Sequence, residues 1–275
     1  MIRFTTSLLL VLGTLIGPSL AQTDAERRNY DACVADSYKC RKAADFGDPD
    51  AMYNLGLMYQ TGRGVPRDSE QALSWYHKAA AAGVSTAGPA MNGQRLMYLK
   101  TQDDARAVSW FRSAAAARYA PAMTNLGFVY ENARGVPRDY RQAMSWYRKA
   151  TAAGDPDAMY HLGVMYENAR GVPRDYKHAM NWYRRAANAG IATAMYNLGR
   201  MYENAEGVPQ DDAQAVSWFR KAAGSGYTPA MSNLGDMYEN GQGVPQDHAR
   251  AANWYRQAAD AGDLYARASL SRLGE

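Results

Sequence analysis

Apolar residues recur along the chain at two helical spacings that alternate with each other. The first spacing runs i, i+4, i+5 and i+8 and is found at Ala158, Leu162, Gly163 and Tyr166. The second lies further along the chain and is carried by Ala179, Trp182, Tyr183 and Ala186. Each set falls on one face of a helix. No strand pattern occurs, so the chain is predicted to consist of paired amphipathic helices.

A connector of constant type separates the two helical patterns. The stretch YENARGVPRDY runs from Tyr130 to Tyr140 and again from Tyr166 to Tyr176. Gly171 suits the end of the first helix, because glycine adopts a positive φ without steric cost. Pro173 cannot continue that helix, and Asp175 can cap the next one by accepting its free N–H groups. We therefore interpret the stretch as a turn between antiparallel helices and not as a catalytic loop.

The tryptophans mark a nearly fixed period. They occur at positions 75, 110, 146, 182, 218 and 254, at intervals of 35, 36, 36, 36 and 36 residues. A period of this size is typical of a solenoid, in which each unit buries its apolar faces against its neighbours. We therefore expect Trp146, Trp182 and Trp218 to be largely buried between helices.

The repeated unit reads A-x-x-x-L-G-x-x-Y, then G-V-P-x-D, then A-x-x-W-[YF]-x-[KR]-A-A-x-x-G, over residues 51 to about 261. This consensus resembles the Sel1-like repeat, a relative of the tetratricopeptide repeat. The resemblance implies an all-α solenoid of antiparallel helix pairs. Its six repeats are expected at 48–84, 85–119, 120–155, 156–191, 192–227 and 228–262.

The second repeat and the two flanks depart from this consensus. In the second repeat, Gln94 and Arg95 replace Leu-Gly and the Gly-Val-Pro triplet is missing, so its first helix is expected to be displaced, shortened or kinked. Residues 22–47 are expected to form an N-terminal capping helix region, and residues 263–275 a C-terminal capping helix. Atypical elements are expected at both ends, because an end repeat has no neighbour to cover its apolar face.

The N-terminus has the pattern of a secretory signal peptide. Arg3 precedes an apolar run from Leu8 to Ile16, and the small residues of Ser19-Leu20-Ala21 suit a cleavage site. We predict a signal peptide at residues 1–21 and a periplasmic or secreted protein. An uncleaved anchor is the alternative, although the run is short for a bilayer span. No other long apolar run follows, so no integral membrane segment is expected after cleavage.

Charge argues against nucleic acid as a partner. Residues 1–21 contain Arg3 and no acidic residue, which leaves 30 basic against 27 acidic residues in the remaining chain. Basic and acidic residues alternate and form no basic block of the kind that follows a phosphate backbone.

Cys33 and Cys40 are the two cysteines of the chain. In an exported protein, such a pair is a candidate disulfide. On one unbroken helix, seven residues would separate the Cα atoms by about 10 Å, which is too far to bridge. The predicted disulfide therefore requires a helix break, for which Asp36-Ser37 is a candidate. Two reduced thiols are the alternative.

The sequence offers little catalytic chemistry. The histidines, His77, His161, His178 and His248, fall in different repeats without a metal-ligand neighbour at useful spacing. No Ser-x-x-Lys motif of a serine β-lactamase occurs. We therefore predict no metal, cofactor or catalytic residue. A β-lactamase-like or cell-wall-acting hydrolase remains an alternative, because some exported Sel1-like proteins resemble such enzymes.

The resemblance to tetratricopeptide repeats implies a binding groove on the concave side, lined by the first helices. The helix face opposite Leu162 and Gly163 carries an asparagine rank, a glutamate rank and a variable position between them. The predicted partner-binding residues are Asn54, Leu57, Asn125, Phe128, Glu131, Tyr160, His161, Val164, Glu167, Tyr196, Asn197, Arg200, Glu203, Asn233 and Glu239. Side-chain amides can hold the backbone of an extended peptide, and the glutamates would favour a basic partner.

Both ranks also have a structural interpretation. The asparagines can bridge neighbouring helices, and the glutamates can form a solvated helix face. The variable position changes from apolar toward the N-terminus to charged toward the C-terminus, which favours a partner site. These features predict an exported scaffold that binds a protein or peptide through the groove, with a role such as envelope regulator or assembly factor.

Overall fold

The computed structural model describes residues 24–82, 104–116 and 118–274, which belong to two units. The N-terminal unit contains α1 (Asp24–Ala35), α2 (Ser37–Asp45), α3 (Pro49–Thr61) and α4 (Ser69–Ala82). The C-terminal unit contains α5 (Asp104–Ala116), α6 (Ala120–Glu131), α7 (Tyr140–Ala152), α8 (Pro156–Glu167), α9 (Tyr176–Asn188), α10 (Ala192–Glu203), α11 (Asp212–Gly224), α12 (Thr228–Asn240), α13 (His248–Asp260) and α14 (Leu264–Leu273).

Helices of the C-terminal unit pack in chain order, as a solenoid requires. Within each repeat the first helix packs against the second, as α8 does against α9, and each second helix packs against the next first helix. The described residues contain helices and no strand, which confirms the predicted all-α fold. The predicted signal peptide at residues 1–21 and the deviating part of the second repeat up to residue 103 lie outside the described residues.

The Leu-Gly pair of the consensus allows close packing within a repeat. Leu162 is fully buried, and Gly163 lies directly against the ring of Tyr183 on α9. A Cβ atom added at Gly163 would lie 2.5 Å from a ring carbon of Tyr183. The same contact recurs at Gly127 and Gly235, so glycine is required here because an aromatic ring occupies the space of a side chain.

The aromatic residue after each tryptophan, and not the tryptophan itself, fills the core. Tyr147, Tyr183 and Phe219 are fully buried, with 0% of their surface exposed. Trp146, Trp182 and Trp218 are half-buried at the edge of this core, so the expectation of largely buried tryptophans holds only in part. A cationic side chain three residues later lies over each of these half-buried indoles, with Arg185 4.4 Å from the ring centroid of Trp182. Cation–π attraction of this kind stabilises an aromatic ring at the surface.

The connector forms the predicted turn. The Asp175 side chain accepts a hydrogen bond from the backbone N–H of His178, and the Asp175 N–H donates to the carbonyl of Tyr166 at 3.0 Å. Gly171 has a φ of 75°, as predicted. Ala169 also adopts a left-handed φ of 56°. The sequence did not predict this conformation, because alanine rarely adopts a positive φ.

A disulfide joins the first two helices of the N-terminal unit. Cys33 on α1 and Cys40 on α2 are bonded, with their Cα atoms 5.0 Å apart. The helix breaks at Asp36, whose side chain caps α2 by accepting from the N–H of Lys39. Both the predicted pairing and the predicted break are therefore confirmed in the structure.

Candidate functional site

One face of the C-terminal unit carries most of the predicted partner-binding residues, and we call it the first-helix face. It is the side of α6, α8, α10 and α12 that bears Asn125, Phe128, Glu131 and their counterparts in later repeats. Side-chain contacts join successive helices along it. The rings of Phe128 on α6 and His161 on α8 have centroids 6.2 Å apart. The Asn197 amide on α10 forms a hydrogen bond with Tyr160 on α8.

The two remaining predicted residues, Asn54 and Leu57, lie on α3 in the N-terminal unit. Asn54 is buried, with 5% of its surface exposed, so its side chain is not available to a partner in this structure. Leu57 is half-buried and packs against the core of that unit.

The glutamate rank has a structural role that the sequence interpretation did not include. The buried Tyr147 hydroxyl donates to Glu131 at 2.7 Å, and the Tyr183 hydroxyl donates to Glu167. Burial first, and then the adjacent carboxylate, raises the pKa of Tyr147 well above its usual value. Each acid therefore accepts the hydroxyl of the tyrosine that fills the core of its own repeat, sixteen residues later.

Glu131 was predicted to contact a partner in the groove, and the structure corrects this prediction. Only 4% of its surface is exposed, because Tyr147 and Arg170 both donate to its carboxylate. Arg170 reaches it from the connector of the next repeat. Glu131 thus joins two repeats and is not presented to a partner.

Glu239, at the other end of the rank, is satisfied in the same way. The Tyr255 hydroxyl lies 2.7 Å from it, and Arg272 on α14 donates to it at 2.8 Å. The neighbouring Asp236 accepts from Tyr265, also on α14, at 2.6 Å. The C-terminal capping helix therefore supplies the donors for the last repeat.

The two middle acids have fewer donors. Glu167 keeps the hydroxyl of Tyr183, but the connector position that Arg170 holds one repeat earlier is occupied by Glu206. Glu203 lacks a hydroxyl donor, because the corresponding core residue is Phe219. Burial, followed by the nearby carboxylate of Asp212, raises the pKa of Glu203.

The asparagine rank follows the bridging alternative. Asn197 bonds to Tyr160, and Asn233 bonds to Tyr196, each joining a first helix to the preceding one. Asn197, Asn233 and Asn125 are half-buried, so part of each amide remains at the surface. These amides are therefore partly committed to contacts between repeats.

Aromatic side chains dominate the centre of the first-helix face. His161 stacks on Tyr147 with ring centroids 4.8 Å apart, and the rings of Tyr196 and Tyr227 lie 5.2 Å apart. The central members are all half-buried: Phe128, Tyr160, His161, Val164, Tyr196 and Tyr227. Arg200 is the one basic member of the predicted set, and it is also half-buried.

The histidines outside this face show no catalytic arrangement in the described part of the chain. His178 bonds through Nδ1 to the capping carboxylate of Asp175 at 2.7 Å, and the side chain of His77 lies outside the described residues. Within residues 24–82, 104–116 and 118–274, no group of three or more His, Cys, Asp or Glu side chains could hold a metal ion. None of the helices in these ranges is long and apolar enough to cross a membrane.

Sequence and structure comparisons agree on the family. The Sel1 repeat model matches residues 49–84, 91–119, 120–155, 156–191, 192–227 and 228–263. No curated protein matches this chain. The crystal structure of a Sel1 repeat protein from Oxalobacter formigenes aligns with a TM-score of 0.77 at 34% identity, over 90% of this chain and 76% of that protein.

A second relative is a protective antigen present in uropathogenic Escherichia coli strains. It aligns with a TM-score of 0.73 at 33% identity, over 86% of this chain, and this chain spans half of its length. An immunity protein from Pseudomonas aeruginosa aligns over 78% of this chain and 83% of that protein, with a TM-score of 0.53 at 20% identity, and shares the fold. With six matched repeats over most of its length, the chain belongs to the Sel1 repeat family, whose solenoids typically mediate protein–protein interactions.

Proposed function

We propose that this protein is an exported interaction scaffold that binds an extended segment of a partner protein on its first-helix face. The observation that carries the proposal is the row of half-buried aromatic side chains on α6, α8 and α10. Aromatic residues are enriched in protein interfaces, because they bury a large area at a small entropic cost. On this face they alternate with amides and carboxylates that can bond to a peptide backbone or to basic side chains.

Export is supported by two features at the N-terminal end. Residues 1–21 have the pattern of a signal peptide, and Cys33 is bonded to Cys40. Disulfides persist in oxidising compartments such as the bacterial periplasm. Mass spectrometry of the chain recovered from the periplasm should give an N-terminus at Gln22, whereas a chain that retains residues 1–21 would contradict cleavage.

The interaction face can be tested by site-specific crosslinking. A photo-reactive phenylalanine analogue at position 128 should crosslink to a partner in the native host, because Phe128 lies on the first-helix face and is only half-buried, so part of its side chain can reach a bound partner. The same analogue at Ser217, an exposed position on α11, is the matched control and should give no such product. Equal crosslinking from both positions would refute the assignment of this face.

A binding variant completes the test. Val164→Asp places a charge among the aromatic residues of the face and should reduce capture of the crosslinked partner at least about tenfold, the cost of an unpaired polar group in an apolar contact. Circular dichroism verifies that the variant remains folded. Turnover of a chromogenic β-lactam by the purified chain would instead favour the hydrolase alternative.

A further inference from the structure

The acid rank of the C-terminal unit is neutralised at its two ends and not in its middle. Glu131 is bonded to Arg170, and Glu239 is bonded to Arg272. In both cases the arginine lies in the following repeat or capping helix, so the same arrangement occurs twice in this chain. At both ends of the rank, the carboxylate at this position therefore binds a guanidinium.

At the middle of the rank the chain provides a carboxylate instead. Glu206 occupies the connector position of Arg170, one repeat later, and the hydroxyl of Tyr183 is the donor that Glu167 has among the described residues. The Oε2 atom of Glu206 is buried and has no hydrogen-bond partner among the described residues. An unpaired buried carboxylate oxygen is costly, because desolvation is not compensated.

The surroundings of Glu206 increase this cost. Burial first, and then the carboxylate of Glu167, raises the pKa of Glu206, whereas Arg200 and Arg174 act in the opposite direction. Glu203 is the last residue of α10, just before the connector that carries Glu206. It has no tyrosine hydroxyl as donor, because Phe219 stands at the position that tyrosine holds in the neighbouring repeats. Glu167 and Glu206 therefore repel each other, and within the described residues no hydrogen bond joins Arg174 or Arg200 to Glu167, Glu203 or Glu206.

We propose that the partner supplies the missing cation: an arginine or lysine side chain of the bound segment enters between Glu167 and Glu206 and takes the place that Arg170 has beside Glu131. This inference rests on the proposed function and adds the chemistry of the partner, which is a basic extended polypeptide. Tyr160 lies near Glu167 and Tyr196 lies near Glu203, so their rings can pack against the aliphatic part of such a side chain.

A labelled peptide tests the inference with the full mature chain. The probe is a fluorescein-labelled decapeptide of alternating arginine and threonine, measured by fluorescence anisotropy, beside a glutamate-threonine peptide of equal length. Glu206→Arg restores the ion pair within the chain, so it should weaken binding of the arginine peptide at least about tenfold. Asp260→Arg makes the same charge change at an exposed position of α13 and should alter the Kd by less than about twofold, because distant exposed charges are screened.

Stability provides a second readout. Glu206→Arg should raise the Tm, because the new arginine bonds to Glu167, and a variant that merely disrupts the fold would lower it. Glu206→Gln removes the charge without adding bulk and should weaken binding in the same direction. The proposal is overturned if Glu206→Arg and Asp260→Arg bind the arginine peptide equally, or if the wild type does not prefer arginine over glutamate. Crosslinking from position 128 would persist in that case, so failure of this inference is distinguishable from failure of the proposed function.

Discussion

The hydroxyl of Tyr183 donates a hydrogen bond to Glu167, from the second helix of a repeat back to the end of its first helix. Tyr183 has no exposed surface and Glu167 is half-buried, so this bond satisfies two polar groups that lie largely out of water. The ring of Tyr183 also covers Gly163, so one side chain provides both the packing and the polar contact of the helix pair.

Removal of this hydroxyl should weaken the fourth repeat. Tyr183→Phe leaves the Glu167 carboxylate without its donor and should lower the free energy of unfolding by about 1.5–3 kcal/mol, the range for hydrogen bonds to charged groups. Urea denaturation measures the change. Phe219→Tyr is the reciprocal variant: it gives Glu203 the donor that it lacks and should raise the stability. Two variants with unchanged midpoints would show that the tyrosine–glutamate pair contributes nothing.

Gly163→Ala should destabilise the fold by overpacking. The added Cβ would lie 2.5 Å from the Tyr183 ring, and overpacked cores typically lose about 1–3 kcal/mol. The control is Gly224→Ala at the end of α11, where no atom lies within 4 Å of an added Cβ. There the change should be neutral or slightly stabilising, because alanine is a better helix former. Equal losses at both sites would contradict the packing explanation.

The degree of burial should determine how much Tyr183 and Trp182 each contribute to the stability of the fold. Tyr183→Ala should cost about 3–5 kcal/mol, the usual range for emptying a buried aromatic site. Trp182→Ala should cost less, because the indole is half-buried and contacts Arg185 at the surface. Thermal denaturation of the two variants under the same conditions ranks them. A larger loss for Trp182 would place the tryptophan, and not the tyrosine, at the centre of the repeat.

Reduction of the disulfide should affect the N-terminal unit. Thiol titration of the denatured, unreduced protein should find no free thiol, because Cys33 and Cys40 are bonded. A bridge that closes so short a loop stabilises by about 2–3 kcal/mol in the chain-entropy model. Cys33→Ser/Cys40→Ser should lose this amount, as measured by denaturation without reductant. A variant as stable as the oxidised wild type would show that α1 is held by its other contacts, among them the Tyr30–Thr61 bond.

Glu206 should make stability depend on pH in a defined direction. Its pKa is raised in the folded state, so the cost of its ionisation is fully present above the folded pKa and vanishes below the unfolded one. Glu206→Gln should therefore stabilise the protein at pH 7, and this advantage should disappear as the pH falls through the raised pKa. Denaturation midpoints of both proteins across this range measure it. A constant difference would show that Glu206 is not desolvated.

The fold was predictable from the sequence because its determinants are local. The period of the tryptophans, the Leu-Gly pair and the capping residue Asp175 each report on one helix or one turn. The roles within the site depend instead on contacts between helices. Glu131 and Asn54 occupy the same repeat positions as the more exposed glutamates and asparagines. They differ from those residues because neighbouring elements bury them.

One signal for the tyrosine–glutamate pairs was nevertheless present in the sequence. Glu131, Glu167 and Glu239 are each followed sixteen residues later by tyrosine, whereas Glu203 is followed by Phe219. The signal indicates a contact only when both helices are known to face each other at those positions. The sequence also shows that Glu206 occupies the connector position that Arg170 holds one repeat earlier. The consequence for the neighbouring carboxylates became clear only from the hydrogen bond between Arg170 and Glu131.

The bonds between repeats also govern how the chain can fold. Arg184 donates to Tyr202 eighteen residues later, and Arg170 reaches Glu131 across thirty-nine residues. Contacts between helices in the described ranges join elements that are near each other in the chain. Proteins with such local contacts fold quickly, since little loop-closure entropy is lost before native contacts form. Each pair of repeats can therefore fold before the rest of the chain is in place, and the segment that awaits its packing partners stays short as folding proceeds along the chain.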